Sequence, residues 1–224
     1  MAGRVIAVVQ ARTGSTRLPG KVLADLAGAP LLARLLERLR RATRVDGVVV
    51  ATSDLAQDDP VAQLARDAGV PCHRGSETDV LARVRDAARA HRADAVVRIT
   101  GDCPLVDPAV VDLVVDGLTD DVDYASNILR RTFPRGLDAE ALHMDVLERV
   151  ARLGRSPDAR EHVTWFIYRE RPDLFVLRSV EHPDGGHADL QWSVDTPEDL
   201  ERVRDLYTRH RLDERDVAWT ELLT

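Results

Sequence analysis

Gln10-Ala11-Arg12-Thr13-Gly14-Ser15-Thr16-Arg17-Leu18-Pro19-Gly20-Lys21 follows an apolar run over residues 5–9, and the reading of this stretch decides the fold. The run before it has the length and composition of a buried strand. The stretch itself carries two glycines, a proline, three hydroxyl side chains (Thr13, Ser15, Thr16) and three cations (Arg12, Arg17, Lys21). A loop of that composition at a strand end offers free backbone N–H groups, hydroxyl donors and positive charge. Holding a polyphosphate demands those features. Lys21 is the sole lysine of the chain, among 31 basic residues.

Outward from the loop, the first half alternates between two periodicities. Leucines at helical spacing predict a helix over residues 30–41, and GVVVAT predicts a buried strand over 47–52. Helices are expected over 59–68 and 78–91, strands over 70–73 and 95–100, and a helix begins at Asp107-Pro108 and runs to about 118. Short connections between alternating strands and helices imply an α/β fold with a doubly wound, parallel sheet. Such sheets bind ligands beyond the carboxyl ends of their strands. The 10–21 loop, Thr52-Ser53-Asp54 and Gly101-Asp102 all stand at such ends. The second half is less regular and implies mixed strand order. Strands are expected over 123–126, 137–142, 175–179 and 190–194, with helices over 145–153, 159–170 and 196–210.

At 224 residues, with 44% hydrophobic and 31% charged side chains, the chain fits one domain with a full core. A formal charge of −7 argues against nucleic acid as the main partner, since a phosphate-backbone binder needs a basic surface. No apolar run approaches the roughly 18 residues of a membrane span. No h-region follows Arg4, so no signal peptide and no membrane association are expected. Two cysteines, Cys72 and Cys103, suit a reducing cytoplasm.

The loop is not a known generic phosphate cradle. In the triphosphatase pattern G-x-x-x-x-G-K, followed by Ser or Thr, four residues separate the glycines; here five residues separate Gly14 from Gly20, and Val22 replaces the hydroxyl. The dinucleotide fingerprint G-x-G-x-x-G is absent from it. However, ARTGSTRLPGK resembles the N-terminal signature of the cytidylyltransferases that activate acidic sugars, and most closely the spore-coat polysaccharide cytidylyltransferase-like family. HRGSETDVLAR (73–83), RITGDCPLVDP (98–108), FPRGLDAEAL (133–142), and REHVTWFIY (160–168) with LQWSVDTPEDL (190–200) extend the resemblance in order over residues 4–208.

The resemblance implies a Rossmann-like nucleotidyltransferase fold, a mostly parallel mixed sheet with helices on both faces. It implies one domain over 1–224, with a nucleotide-binding half to about residue 120 and an acceptor-binding, dimerising half after it. The implied reaction transfers CMP from CTP to a small anionic acceptor and releases pyrophosphate, in a homodimer acting in polysaccharide biosynthesis. Ala11, Arg12, Gly14, Ser15, Arg17 and Lys21 would hold the triphosphate, with Lys21, Arg12 and Arg17 acting catalytically. Thr52, Arg74, Gly75, Asp79 and Asp102 would complete the nucleotide side. Asp102 and Asp195, at two strand ends, are the expected ligands of Mg2+, which takes one or two carboxylates plus phosphate oxygens. Asn127, Arg135, Asp138, Glu140, Glu161 and His162 are expected on the acceptor side.

The residues alone specify only a nucleoside triphosphate. A guanylyl- or uridylyltransferase on the same scaffold and a non-catalytic nucleotide-binding protein stay open. Asp195 precedes Thr196-Pro197 and also reads as a helix start. Ser76 to Asp79 also reads as an ordinary helix N-terminus, and His162 and Glu161 as ordinary helix residues. A glycosyltransferase is disfavoured, because Asp121-Val122-Asp123 follows no clear apolar strand.

Overall fold

The structure is a computed structural model and describes residues 3–224. Strand β1 (Val5–Gln10) is central, and its side chains alternate between two cores. Val5, Ala7 and Val9 face α1 (Leu31–Leu39) and α4 (Pro108–Gly117) through Leu32, Leu35, Leu36, Val111 and Val114. Ile6 and Val8 face α3 (Val80–Ala90) and α5 (Met144–Leu153) through Leu81, Val84, Ala88 and Leu147. Burial on both faces explains why β1 reads as an uninterrupted apolar run.

A two-stranded hairpin, β2 (Asp25–Leu26) with β3 (Ala29–Pro30), stands apart from the main sheet. The main sheet also contains β4 (Gly47–Ser53), β5 (Cys72–Gly75), β6 (Ala95–Thr100), β7 (Tyr124–Ser126), β8 (Glu140–His143) and β9 (Leu177–Ser179). Its order is β5-β4-β1-β6-β8-β7-β9. The first four strands are mutually parallel, β8 runs antiparallel to both neighbours, and β9 pairs parallel with β7. The sheet is therefore mixed and mostly parallel, with helices on both faces, as expected. Among the described residues no helix is long and apolar enough to cross a membrane.

From β1 the chain builds outward through β4 and β5, then returns to lay β6 on the other side of β1. This reversal opens a crevice at the carboxyl ends of β1 and β6. The crevice is tight at its base. A Cβ on Gly101 would stand 2.8 Å from Ala11 Cβ and 2.9 Å from the Gln10 carbonyl oxygen. Only glycine fits there.

Asp58, in the short turn before α2 (Asp59–Asp67), moors the 10–21 loop. Its Oδ1 accepts from Thr13 N at 2.7 Å and from Thr13 Oγ1 at 2.7 Å, while Ser53 Oγ donates to Oδ2. Burial works against this charge, but the hydrogen bonds from Ser53 and Thr13 outweigh it and hold the carboxyl below its ordinary value. A charge-assisted acceptor for three donors is what an otherwise mobile, glycine-rich loop needs to keep one shape.

Four expectations about the second half are corrected. The helix expected over 159–170 is broken: α6 (Pro157–His162) ends at Val163, which has φ 56° and ψ −64°. Thr164 N donates to His162 O at 2.6 Å, closing a γ-turn that is strained for any residue and more so for a β-branched one. Phe166–Glu170 then continues as one wide π-helical turn. The strand expected over 190–194 is a single bridge, Arg135 to Gln191. Arg135 N donates to Leu190 O at 2.9 Å and Trp192 N to Arg135 O at 2.7 Å. Gly136 has φ 104°, and a Cβ there would lie 2.5 Å from Ser193 N, so backbone packs directly on backbone.

Two expected acceptor residues are instead structural. Glu140 is 4% exposed, its carboxylate paired with Arg98 and bonded by Tyr124 Oη at 2.6 Å and by Thr164 Oγ1. Asn127 is fully buried; its Nδ2 donates to Leu137 O at 2.8 Å and its Oδ1 accepts from Ala139 N at 3.0 Å. Both side chains spend their polar atoms inside the fold, Glu140 at the start of β8 and Asn127 just beyond the end of β7.

Two stability measurements check these roles. Glu140→Ala leaves the buried Arg98 guanidinium uncompensated and is expected to cost about 3–5 kcal/mol in urea unfolding; an unchanged midpoint would return Glu140 to the ligand side. Asp58→Asn is expected to cost about 1–3 kcal/mol at pH 7. Because the folded-state pKa lies below 3.8, that stability is present above pH 3.8 and disappears as pH falls through the lower folded value. The gap between wild type and variant should therefore be flat near neutrality and close only in acid.

Candidate active site

Lys21 stands at the centre of the crevice. The loop closes on itself through Gly20 N to Thr13 O at 2.9 Å, and Lys21 opens a short 3-10 turn, Lys21–Leu23, that buries all but 8% of it. Its Nζ donates to Asp102 Oδ2 at 2.8 Å, to Asp195 Oδ1 at 2.9 Å and to Val194 O at 2.7 Å. An ammonium has three protons, and all three are used. Burial opposes the Lys21 charge, but the Asp102 charge and the hydrogen bonds donated to both carboxylates outweigh it and raise the pKa. For Asp102, burial is likewise outweighed by the Lys21 charge and hydrogen bond, which hold the carboxyl below its ordinary range.

The aspartates reach this point from two loops that are joined directly, Val194 N donating to Asp102 O at 2.8 Å. Asp195 is free to do so because Thr196 and Asp199 provide the capping box of α7 (Pro197–His210). The helix start is thus served by its neighbours, and the Asp195 carboxylate turns to Lys21 and to Arg17 Nη2 at 2.9 Å.

Two adjoining cavities meet at this pair of carboxylates. The first, of about 370 Å3, is lined by loop residues Arg12, Gly14, Ser15 and Arg17, by Lys21, and by Glu161 and His162. The second, of about 450 Å3, is lined by Arg17, Arg135, Asp138, Gln191, Ser193 and Asp199. Both include Thr100, Asp102 and Asp195. Loop residue Arg12 spans the mouth of the first, donating to Glu77 O at 3.3 Å and pairing with Glu161 at 3.6 Å.

The fold gathers Ala11, Arg12, Gly14, Ser15, Arg17, Lys21, Asp102 and Asp195 around the first cavity, and it places Glu161 and His162, expected on the acceptor side, on the loop side instead. Arg135 and Asp138 lie in the second cavity, Asp138 held by Arg131 Nη2 at 3.0 Å. Four expected nucleotide residues line neither cavity. Thr52 is fully buried and its hydroxyl has no hydrogen-bond partner among the described residues. Arg74 donates to Ser53 O at 3.0 Å and Leu55 O at 2.8 Å, tying down the end of β4. Gly75 packs under Arg83, and Asp79 caps α3 through Ala82 N at 2.9 Å.

Sequence reading missed Asp58, Gln191 and Ser193. Nothing local marks Asp58, whose partners are Thr13 and Ser53. Gln191 and Ser193 alternate with Trp192 and Val194, which are buried, and that alternation was a legible sign that 191 and 193 face open space.

Comparison with known proteins places the chain. A family profile described as cytidylyltransferase matches residues 6–218. The chain is 35% identical to the spore coat polysaccharide biosynthesis protein SpsF of Bacillus subtilis, over 98% of this chain and 92% of that protein. It is 34% identical to the 3-deoxy-manno-octulosonate cytidylyltransferase of Anaeromyxobacter dehalogenans, over 90% of this chain and 97% of that protein. The solved structure of a cytidylyltransferase from Leptospira borgpetersenii superimposes with a TM-score of 0.92 at 32% identity, covering 98% of this chain and 92% of that one. The chain that sets one buried lysine between two aspartates at the switch point of a mixed sheet belongs to the cytidylyltransferase family of nucleotidyltransferases.

Proposed function

We propose that the protein transfers CMP from CTP to a small anionic acceptor, releasing pyrophosphate, with the triphosphate in the first cavity and the acceptor in the second. The observation that carries this reading is the meeting of both cavities at Asp102 and Asp195, beside the one buried cation of the loop. A group-transfer enzyme needs its two substrates to share a boundary at the reacting atom. Residues up to about 120 supply most of the nucleotide side, with Glu161, His162 and Asp195 added from beyond, and later residues supply most of the acceptor side.

An acceptor oxygen attacks the α-phosphorus, a P–O bond forms, and the bond to the bridging oxygen of the leaving pyrophosphate breaks. Negative charge builds on the phosphate oxygens throughout, so positioned cations are the main source of rate. Arg12 and Arg17 are suited to fork the β- and γ-phosphates, and Lys21 to follow the charge at the α-phosphate. Arg135 is the cation of the second cavity suited to an acceptor carboxylate or phosphate, while Gln191 and Ser193 offer hydrogen bonds to hydroxyls.

Asp102 and Asp195 fit a divalent cation. They are hard oxygen donors from two loops aimed at one point, the donor set that Mg2+ accepts together with phosphate oxygens. Such an ion supplies neutralisation of phosphate charge. What this chain does is hold the two carboxylates at a fixed separation, through the Val194–Asp102 backbone bond and the capping box that frees Asp195.

Melting in the presence of Mg2+ with CTP, UTP, GTP or ATP is the first test. CTP at 100 times its dissociation constant should stabilise by about 2.7 kcal/mol, or roughly 2–4 °C for each kcal/mol in a chain of this size. A larger shift with GTP or UTP would change the nucleotide, and no shift with any triphosphate would end the reading. In a pyrophosphate-release assay over a panel of acidic sugars, Arg135→Ala should lower kcat/KM for the acceptor by about tenfold or more, with the CTP melting shift intact. A lost CTP shift would instead put Arg135 on the nucleotide side.

A further inference from the structure

The three cations of the first cavity are each matched with a carboxylate, but not equally. Arg17 pairs with Asp195 and Arg12 with Glu161, and in each pair one partner, Arg17 or Glu161, is more than half exposed, so water competes for it. Lys21 is different. It is buried, its three protons point at Asp102, Asp195 and the Val194 carbonyl, and no other lysine exists to replace it.

This geometry sets a conflict. The carboxylate oxygens that bond Lys21 Nζ, at 2.8 and 2.9 Å, belong to the two residues suited to a divalent cation. A magnesium ion bonded to either oxygen lies about 2.1 Å from it, and so at most about 5 Å from the ammonium. Two cations at that separation in a buried crevice repel strongly. A metal on those two oxygens and the ammonium in its present position are alternatives.

We infer that Lys21 is a resident counter-ion that stands in the place of the metal, so that a divalent cation enters only together with the triphosphate. On that arrival the carboxylates exchange an ammonium for a metal, and Lys21 exchanges two carboxylates for phosphate oxygens. Every charge keeps a partner through the exchange. Metal alone would strand the ammonium, and triphosphate alone would face Asp102 and Asp195 with no intervening metal. By linkage each must strengthen binding of the other by the same factor. The inference rests on the proposed nucleotide site and adds the order in which that site fills.

A single lysine makes the exchange directly observable. Protein grown with 13C,15N-lysine carries one labelled side chain, and its Cε–Hε correlation reports the surroundings of Nζ. MgCl2 alone should leave that signal in place; MgCl2 with CTP should move it. In parallel, Mn2+ binding without nucleotide, followed by electron paramagnetic resonance, should be at least tenfold tighter in Lys21→Met than in wild type. Adding Asp195→Asn to that variant should abolish the gain. The inference is overturned if Mg2+ alone moves the lysine signal as far as Mg2+ with CTP, or if CTP raises the melting temperature while the signal stays fixed. It is overturned equally if folded Lys21→Met binds Mn2+ no better than wild type. Should Lys21→Met not fold, the labelled wild-type protein decides the question. Absence of any triphosphate-induced melting shift would mark failure of the nucleotide site itself, whereas a normal CTP shift with a fixed lysine signal overturns only the exchange.

Discussion

An ammonium group shared by two carboxylates joins three loops that are far apart in the chain. The contacts of Lys21 bridge sequence separations of 81 residues to Asp102 and 174 to Asp195. Burying an ammonium against two half-buried carboxylates costs more than their mutual attraction returns unless its donors are satisfied. Here the lysine uses all three protons, Asp195 also holds Arg17, and the Asp102 backbone carbonyl accepts from Val194 N. The triad therefore stabilises only as a set, and it confines the loop end, the β6 turn and the start of α7 to one spot.

The sheet makes that convergence possible. Strand order reverses at β1, so β1 and β6 end side by side, with Gly101 admitting backbone where a side chain would collide. Asp58 then holds the loop from the β4 side while Lys21 holds it from the β6 side. A glycine-rich loop moored at both ends can present its hydroxyls and arginines without first losing much entropy on ligand binding.

A second buried charge system, Arg98 with Glu140, serves a different end. Glu140 takes Tyr124 from β7 and Thr164 from beyond the γ-turn at Val163. Strain of this kind costs about 1–3 kcal/mol and persists only where surrounding contacts impose it. Here the imposed turn ends α6 at His162 and leaves Glu161 and His162 on the wall of the first cavity.

The sequence by itself determined the alternating half of the fold, because strands buried on both faces and amphipathic helices each leave a local periodicity in side-chain polarity. It also determined the loop, whose glycines, hydroxyls and cations are contiguous, and Asp102 just beyond the end of β6, whereas Asp195 follows a single bridge and not the strand that local pattern implied. Local pattern misled it over 159–170, where helical spacing continues through Val163, which leaves the helix in a γ-turn beside the Thr164 that bonds Glu140, and at Asn127 and Glu140, where polar residues near a site turned out to satisfy buried partners. Only the tertiary structure decided what Lys21 touches, since hydrogen bonds across 81 and 174 residues leave no trace in local spacing. The loop's composition could be read from the chain alone; the fold gave its lysine two carboxylates.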